Sequence, residues 1–219
     1  MTREAVRAAI EQTGLLPAIR TDSAEAALFA AETVFQGGLY ILELTMTVPG
    51  AIDVIRQLRQ SHPTLLVGAG TVLDLDTAAK CLDAGAAFLT SPGFEPALLE
   101  FGVSQKVTVI PGALTPTEVM MASKAGADFV KVFPCSAVGG PGYIKALKAP
   151  LPHVSMIAAG GVNQLTAGEF IRAGATAVGI REELLPPDAV LNRDRQWIGE
   201  LTHRFQMIVK RARAPRVSR

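Results

Sequence analysis

The chain has 219 residues, 49% hydrophobic and 19% charged, a balance that excludes disorder and allows one sizeable core rather than two ordinary domains. Its formal net charge of +1 conceals a basic end: Lys210, Arg211, Arg213, Arg216 and Arg219 stand among the last ten residues without an acid, leaving 16 basic against 20 acidic residues elsewhere. No apolar run approaches the ~20 residues a membrane span needs, Met1 to Gln12 lacks an apolar leader core, and Cys81, Cys135, His62, His153 and His203 have no disulfide or metal-ligand spacing. The expectations are a cytoplasmic protein without metal or cofactor, with no nucleic acid or membrane partner, and with residues 210–219 as a flexible, solvated tail after a single domain of residues 1–209.

In chain order, Ala5, Val6, Ala9 and Ile10 have helical spacing and predict an opening amphipathic helix. From Leu15 onward, short apolar segments alternate with helical ones. The predicted strands are Leu15–Arg20, Tyr40–Thr47, Leu65–Val72, Ala87–Pro92, Val107–Ala113, Asp128–Phe133, Val154–Gly160 and Ala177–Gly179. Helix starts are marked by Asp22-Ser23-Ala24-Glu25, Pro49, Asp74 or Asp76, and Thr115-Pro116-Thr117-Glu118. Helix stops recur as Gln36-Gly37-Gly38, Asp83-Ala84-Gly85-Ala86, Lys124-Ala125-Gly126-Ala127 and Arg172-Ala173-Gly174-Ala175, roughly every 40 to 50 residues. A last helix is expected over Asp194 to Val209, with Trp197, Leu201, Phe205 and Ile208 on one face. Eight strands alternating with helices predict a single (β/α)8 TIM barrel with an extra N-terminal helix. An open doubly wound sheet is the alternative, but Arg20-Thr21-Asp22 follows the first strand where a glycine-rich dinucleotide fingerprint would stand.

In such a barrel the chemistry collects at the C-terminal ends of the strands. Lys131 interrupts the apolar run Asp128-Phe129-Val130-Lys131-Val132-Phe133-Pro134. A lysine there is either an edge or snorkelling side chain, or a desolvated amine able to attack a carbonyl carbon. Glu43, Thr45 and Thr47 share one face of the second strand by the two-residue period, and that face must point inward if helices cover the outside. Glu43 then shares an enclosed space with Lys131. A structural ion pair is one explanation. The other is an amine that attacks a ketone beside a carboxylate that moves protons. Gly68-Ala69-Gly70-Thr71, Ser91-Pro92-Gly93, Pro111-Gly112 and Gly160-Gly161-Val162 fall on the same rim, where backbone N–H groups can approach an anion.

The ordered set Glu43-Leu44-Thr45-Met46-Thr47-Val48-Pro49, Gly68-Ala69-Gly70-Thr71-Val72, Ser91-Pro92-Gly93, Pro111-Gly112-Ala113-Leu114-Thr115-Pro116-Thr117-Glu118, Lys131-Val132-Phe133-Pro134, Gly140-Pro141-Gly142-Tyr143-Ile144-Lys145-Ala146-Leu147 and Gly160-Gly161-Val162 resembles the 2-keto-3-deoxy-6-phosphogluconate / 4-hydroxy-2-oxoglutarate aldolase family. The resemblance implies a class I aldolase, a homotrimer that reversibly cleaves a 2-keto acid into pyruvate and an aldehyde. It implies Lys131 as the Schiff-base residue and Glu43 as the general acid/base. Thr71 and the backbone near Gly70 would hold the pyruvyl carboxylate, with Pro92 and Phe133 packing its apolar side. Arg20 is assigned to recognition of carboxylate or hydroxyl because Thr47 stands where the family often has arginine. Gly160, Gly161 and Arg181 would line the far end of the substrate. The family pattern is broken at Ala158-Ala159-Gly160-Gly161, where Pro-Thr-Gly-Gly is usual, and at Gly179-Ile180-Arg181-Glu182-Glu183-Leu184, where Gly-Ser is usual. Both changes remove a hydroxyl expected at a substrate phosphate, so a non-phosphorylated 2-keto acid is the alternative substrate class. Two further readings compete: an isomerase on a phosphate-binding barrel, and a catalytically silent barrel that binds a partner.

Overall fold

The computed structural model describes residues 2–214; Arg216 and Arg219 of the basic end lie outside the described residues. An opening helix α1 (Arg3–Thr13) precedes the strands β1 (Leu15–Ile19), β2 (Ile41–Thr45), β3 (Leu66–Gly70), β4 (Phe88–Thr90), β5 (Thr108–Ile110), β6 (Gly112–Ala113), β7 (Val130–Val132), β8 (Met156–Ala159) and β9 (Ala177–Ile180). Between them lie α2 (Ala24–Gln36), α3 (Ala51–Ser61), α4 (Leu75–Asp83), α5 (Pro96–Ser104), α6 (Pro116–Lys124), α7 (Pro141–Lys148) and α8 (Ala167–Arg172); α9 (Pro187–Leu191) and α10 (Arg195–Arg213) follow.

All pairings between these strands are parallel. Pro111, which has no N–H to give to a ladder, separates β5 from β6, yet its carbonyl still accepts the Lys131 N–H at 2.9 Å. The strand order β5-β4-β3-β2-β1-β9-β8-β7-β6 thus begins and ends on two halves of one strand, and the sheet closes on itself. The expected eight-stranded barrel with an extra N-terminal helix is the fold observed.

Strand alternation sorts the apolar side chains into two layers. Leu15, Leu42, Val67, Leu89, Val109, Val130, Met156 and Val178 face the helices. Leu16, Ile41, Leu66, Phe88, Ile110, Phe129, Ile157 and Ala177 face inward and pack with Val6 and Ile10 of α1. That helix is capped by the Thr2 hydroxyl, which accepts from the Ala5 N–H, and it seals the N-terminal end of the barrel. Burying Val6 and Ile10 stabilises this plug by roughly 1.5–3 kcal/mol each.

The repeated helix stops have one physical basis. Gly38, Gly85, Gly126 and Gly174 all carry positive φ, between 89° and 107°, a region closed to most side chains. Each lets a helix end and its chain turn straight into the next strand. The starts are equally local: Ser23 caps α2, Asp74 caps α4, and Thr115 and Glu118 form a reciprocal capping box on α6.

The tail departs from expectation. α10 runs through Arg213, with Val209 buried and Ala212 packed against the outer core. The Arg213 guanidinium donates to the Gln12 and Thr176 carbonyls, each at 2.8 Å. Lys210 to Arg213 therefore belong to the domain, because the apolar face of α10 extends one turn further and Arg213 ties that turn to the barrel floor. Among the described residues, no helix is long and apolar enough to cross a membrane.

Candidate active site

The C-terminal ends of the strands surround a cavity of about 400 Å³. Its lower wall is apolar, with Leu16, Ala18, Ile110 and Ile157, and its two ionisable floor groups are Lys131 and Glu43. Lys131 is the middle residue of β7, and Glu43 the middle residue of β2, across the barrel. Inward projection from both strands brings the Lys131 Nζ to 3.4 Å from each Glu43 carboxylate oxygen. The Glu43 side chain is 3% exposed and that of Lys131 15%. This is a long, forked contact, weaker than a tight salt bridge, and the amine retains a path to the cavity.

A glycine makes the arrangement possible. A Cβ placed on Gly70 would sit 2.1 Å from Glu43 Oε1, so the carboxylate occupies the space that any other side chain on β3 would fill. Next to it, Thr71 takes φ +60°, a conformation that disfavours a β-branched residue and costs on the order of 1–3 kcal/mol. The chain leaves β3 sharply there, and Thr71 lines the cavity.

Nine of the eleven residues singled out from sequence line this cavity: Lys131, Glu43, Arg20, Thr71, Pro92, Phe133, Gly160, Gly161 and Arg181. Thr47 and Gly70 do not. Thr47 lies beyond the end of β2, and its hydroxyl pairs at 2.9 Å with that of Thr45, which also donates to the Ile19 carbonyl. From that face of β2, Thr45 lines the cavity together with Glu43. Gly70 acts from beneath, through the room it leaves for Glu43. The Phe133 ring lies 5.7 Å from the Lys131 ammonium, within cation–π range.

The mouth carries Arg20, Asn163, Arg181, Glu182 and Glu183. Arg20, after β1, has no carboxylate within 4.0 Å among the described residues, whereas Arg181 pairs with Glu182 at 2.7 Å. Asn163 and Glu183 were not singled out from sequence, because both lie on irregular segments after β8 and β9 where no periodicity indicates direction. The two thiols take no part: Cys81 and Cys135 are fully buried, and desolvation pushes both up to about 11. Among the described residues, no group of three or more His, Cys, Asp or Glu side chains converges as a set of metal ligands.

Residues 6–201 match the family described as KDPG and KHG aldolase. The chain is 34% identical over 179 residues to the 2-dehydro-3-deoxy-phosphogluconate aldolase of Pseudomonas aeruginosa, covering 82% of this chain and 81% of that one. It is 30% identical over 187 residues to the KHG/KDPG aldolase of Escherichia coli, covering 85% and 88%. Its fold superposes with a TM-score of 0.84 on the KDPG aldolase of Legionella pneumophila, solved with pyruvate captured as a covalent carbinolamine, at 32% identity over 90% of this chain and 95% of that one. The chain therefore belongs to the KDPG and KHG aldolase family and is a carbon–carbon lyase.

Proposed function

We propose that Lys131 is the imine-forming nucleophile and Glu43 the proton carrier of a class I aldolase that releases pyruvate from a 2-keto acid. The observation that carries this reading is the forked 3.4 Å contact between an accessible amine and a buried carboxylate. Transfer of an ammonium proton to Glu43 frees the amine, whose lone pair attacks the keto carbon. The carbinolamine takes up a proton at oxygen and loses water, leaving an iminium. Glu43 then removes the proton of the hydroxyl two carbons from the iminium. The bond between the hydroxyl carbon and the carbon next to the iminium breaks, its electron pair forms the enamine, and the hydroxyl carbon leaves as an aldehyde. Protonation of the enamine methylene and addition of water release pyruvate and restore the amine.

Thr71 and the rim backbone suit the pyruvyl carboxylate, Pro92 and Phe133 its apolar side, and Arg20 a carboxylate or hydroxyl further out. The relatives' names suggest 2-keto-3-deoxy-6-phosphogluconate or 4-hydroxy-2-oxoglutarate as substrate. A non-phosphorylated substrate is the second reading, favoured by Glu182 and Glu183 at the mouth and by the engagement of Arg181 with Glu182. The same family membership suggests a homotrimer, and a cytoplasmic location goes with it.

Borohydride reduction in the presence of pyruvate tests the central claim. The expected product is an irreversible adduct on Lys131, absent from Lys131→Ala; an adduct elsewhere, or none, refutes it. Pyruvate release from phosphorylated and unphosphorylated 2-keto acids, compared between wild type and Glu182→Ser, separates the substrate classes. Arg20→Ala should weaken apparent substrate affinity.

A further inference from the structure

Among the described residues, one buried side-chain oxygen or nitrogen finds no hydrogen-bond partner, the hydroxyl of Thr90. Thr90 is the last residue of β4 and is fully buried. Phe88, two residues earlier, belongs to the inner core and Leu89 to the outer one, so Thr90 points into the barrel. A threonine fits that position by size, as valine does, but an unpaired buried hydroxyl is destabilising and calls for an explanation.

The neighbouring strands supply one. Ala69 pairs with Leu89, so one step along the parallel ladder Gly70 stands beside Thr90. Gly70 is the residue over which the Glu43 carboxylate lies. Glu43 starts on β2 and its carboxylate reaches over Gly70 of β3; Thr90 stands beside Gly70 on the next strand, and adjacent strands lie about 5 Å apart. On its other side Thr90 pairs with Ile110, which has nothing to offer a hydroxyl. The side-chain partners of Glu43 are the two long contacts to Lys131, and these weaken when that nitrogen becomes part of an imine.

We propose that Thr90 is a positioning residue: its hydroxyl, directly or through one water, donates to the Glu43 carboxylate and holds it in place once Lys131 is engaged with substrate. This rests on the imine reading of Lys131 and Glu43, and it adds a third residue that does not itself line the cavity. The step it supports is proton transfer at the methyl carbon of bound pyruvate, which is separable from imine formation.

The experiment compares wild type with Thr90→Val, Thr90→Ala and Thr90→Ser. Pyruvate methyl-proton exchange is followed by NMR in deuterium oxide, and the borohydride adduct on Lys131 is measured at saturating pyruvate. Thr90→Val keeps the shape and should unfold at or above the wild-type temperature while forming the adduct in wild-type yield. Its exchange rate and kcat should fall by roughly ten- to hundredfold, the rate equivalent of one hydrogen bond to a charged group, with KM little changed. Thr90→Ala should share the loss of exchange, and Thr90→Ser should restore most of it. Wild-type exchange in Thr90→Val, with the adduct intact, would overturn the role of Thr90 alone. Failure of wild type itself to form an adduct on Lys131 would overturn the imine reading and this inference with it.

Discussion

Two ion pairs three residues apart in sequence mark opposite ends of the barrel. At the sealed end, Asp128 accepts from the Arg3 guanidinium at 2.5 Å, lies 3.4 Å from the Thr108 hydroxyl, and has Arg7 at 4.0 Å, while Arg3 also donates to the Gly126 carbonyl. At the open end, Lys131 and Glu43 meet at 3.4 Å with fewer partners. The first pair ties α1 to the start of β7 and has its lone pairs occupied. The second leaves the amine reachable and the carboxylate lightly held. Burial alone does not mark a reactive pair; loose coupling beside a cavity does, since a proton must move between the partners during turnover.

This contrast can be broken at its strong end first. Lys131→Met should abolish pyruvate release, a fall on the order of 10^5-fold in kcat, as expected when a covalent nucleophile is removed; steady-state assay of the purified variant measures it. Glu43→Gln should retain pyruvate binding but lower kcat by about 10^2- to 10^4-fold, the range of general acid–base catalysis, read in the same assay and in methyl-proton exchange. Gly70→Ala puts a methyl where the Glu43 carboxylate lies, and displacing that group by about 1 Å should cost up to 10^2-fold in kcat. At the sealed end, Arg3→Ala should lower stability by about 1–2 kcal/mol in denaturant unfolding, between an exposed and a buried pair, with kcat per folded molecule unchanged. A large kcat loss in Arg3→Ala would show that the two ends are not independent.

Much of the fold was legible because its signals are local. The glycine stops, the Thr115–Glu118 capping box and the alternation on β2 each follow from a few adjacent residues, as do the short apolar runs that located all eight strands. Strand ends were shorter than the apolar runs implied: Asp128 reads as part of its strand yet precedes β7, since it turns to meet Arg3. The end of α10 is hidden in the sequence because the basic run masks the apolar positions Val209 and Ala212, and the hydrogen bonds of Arg213 join segments far apart in sequence.

The site divides along the same line. Period-two alternation and an energetically awkward lysine sufficed to bring Lys131 and Glu43 to one interior, and the ordered motifs gave the family. Three things were beyond the reach of the linear pattern. Thr47 turns aside to Thr45; Gly70 serves the carboxylate by lacking a side chain; and Thr90, one polar residue in an apolar strand, stands in register beside Gly70, over which that carboxylate lies. Sequence determined which face each residue takes, because that depends on its own strand. Tertiary structure decided what each face meets, because that depends on register between strands and on closure of the barrel, which bring Lys131 and Glu43 together across 88 positions of sequence.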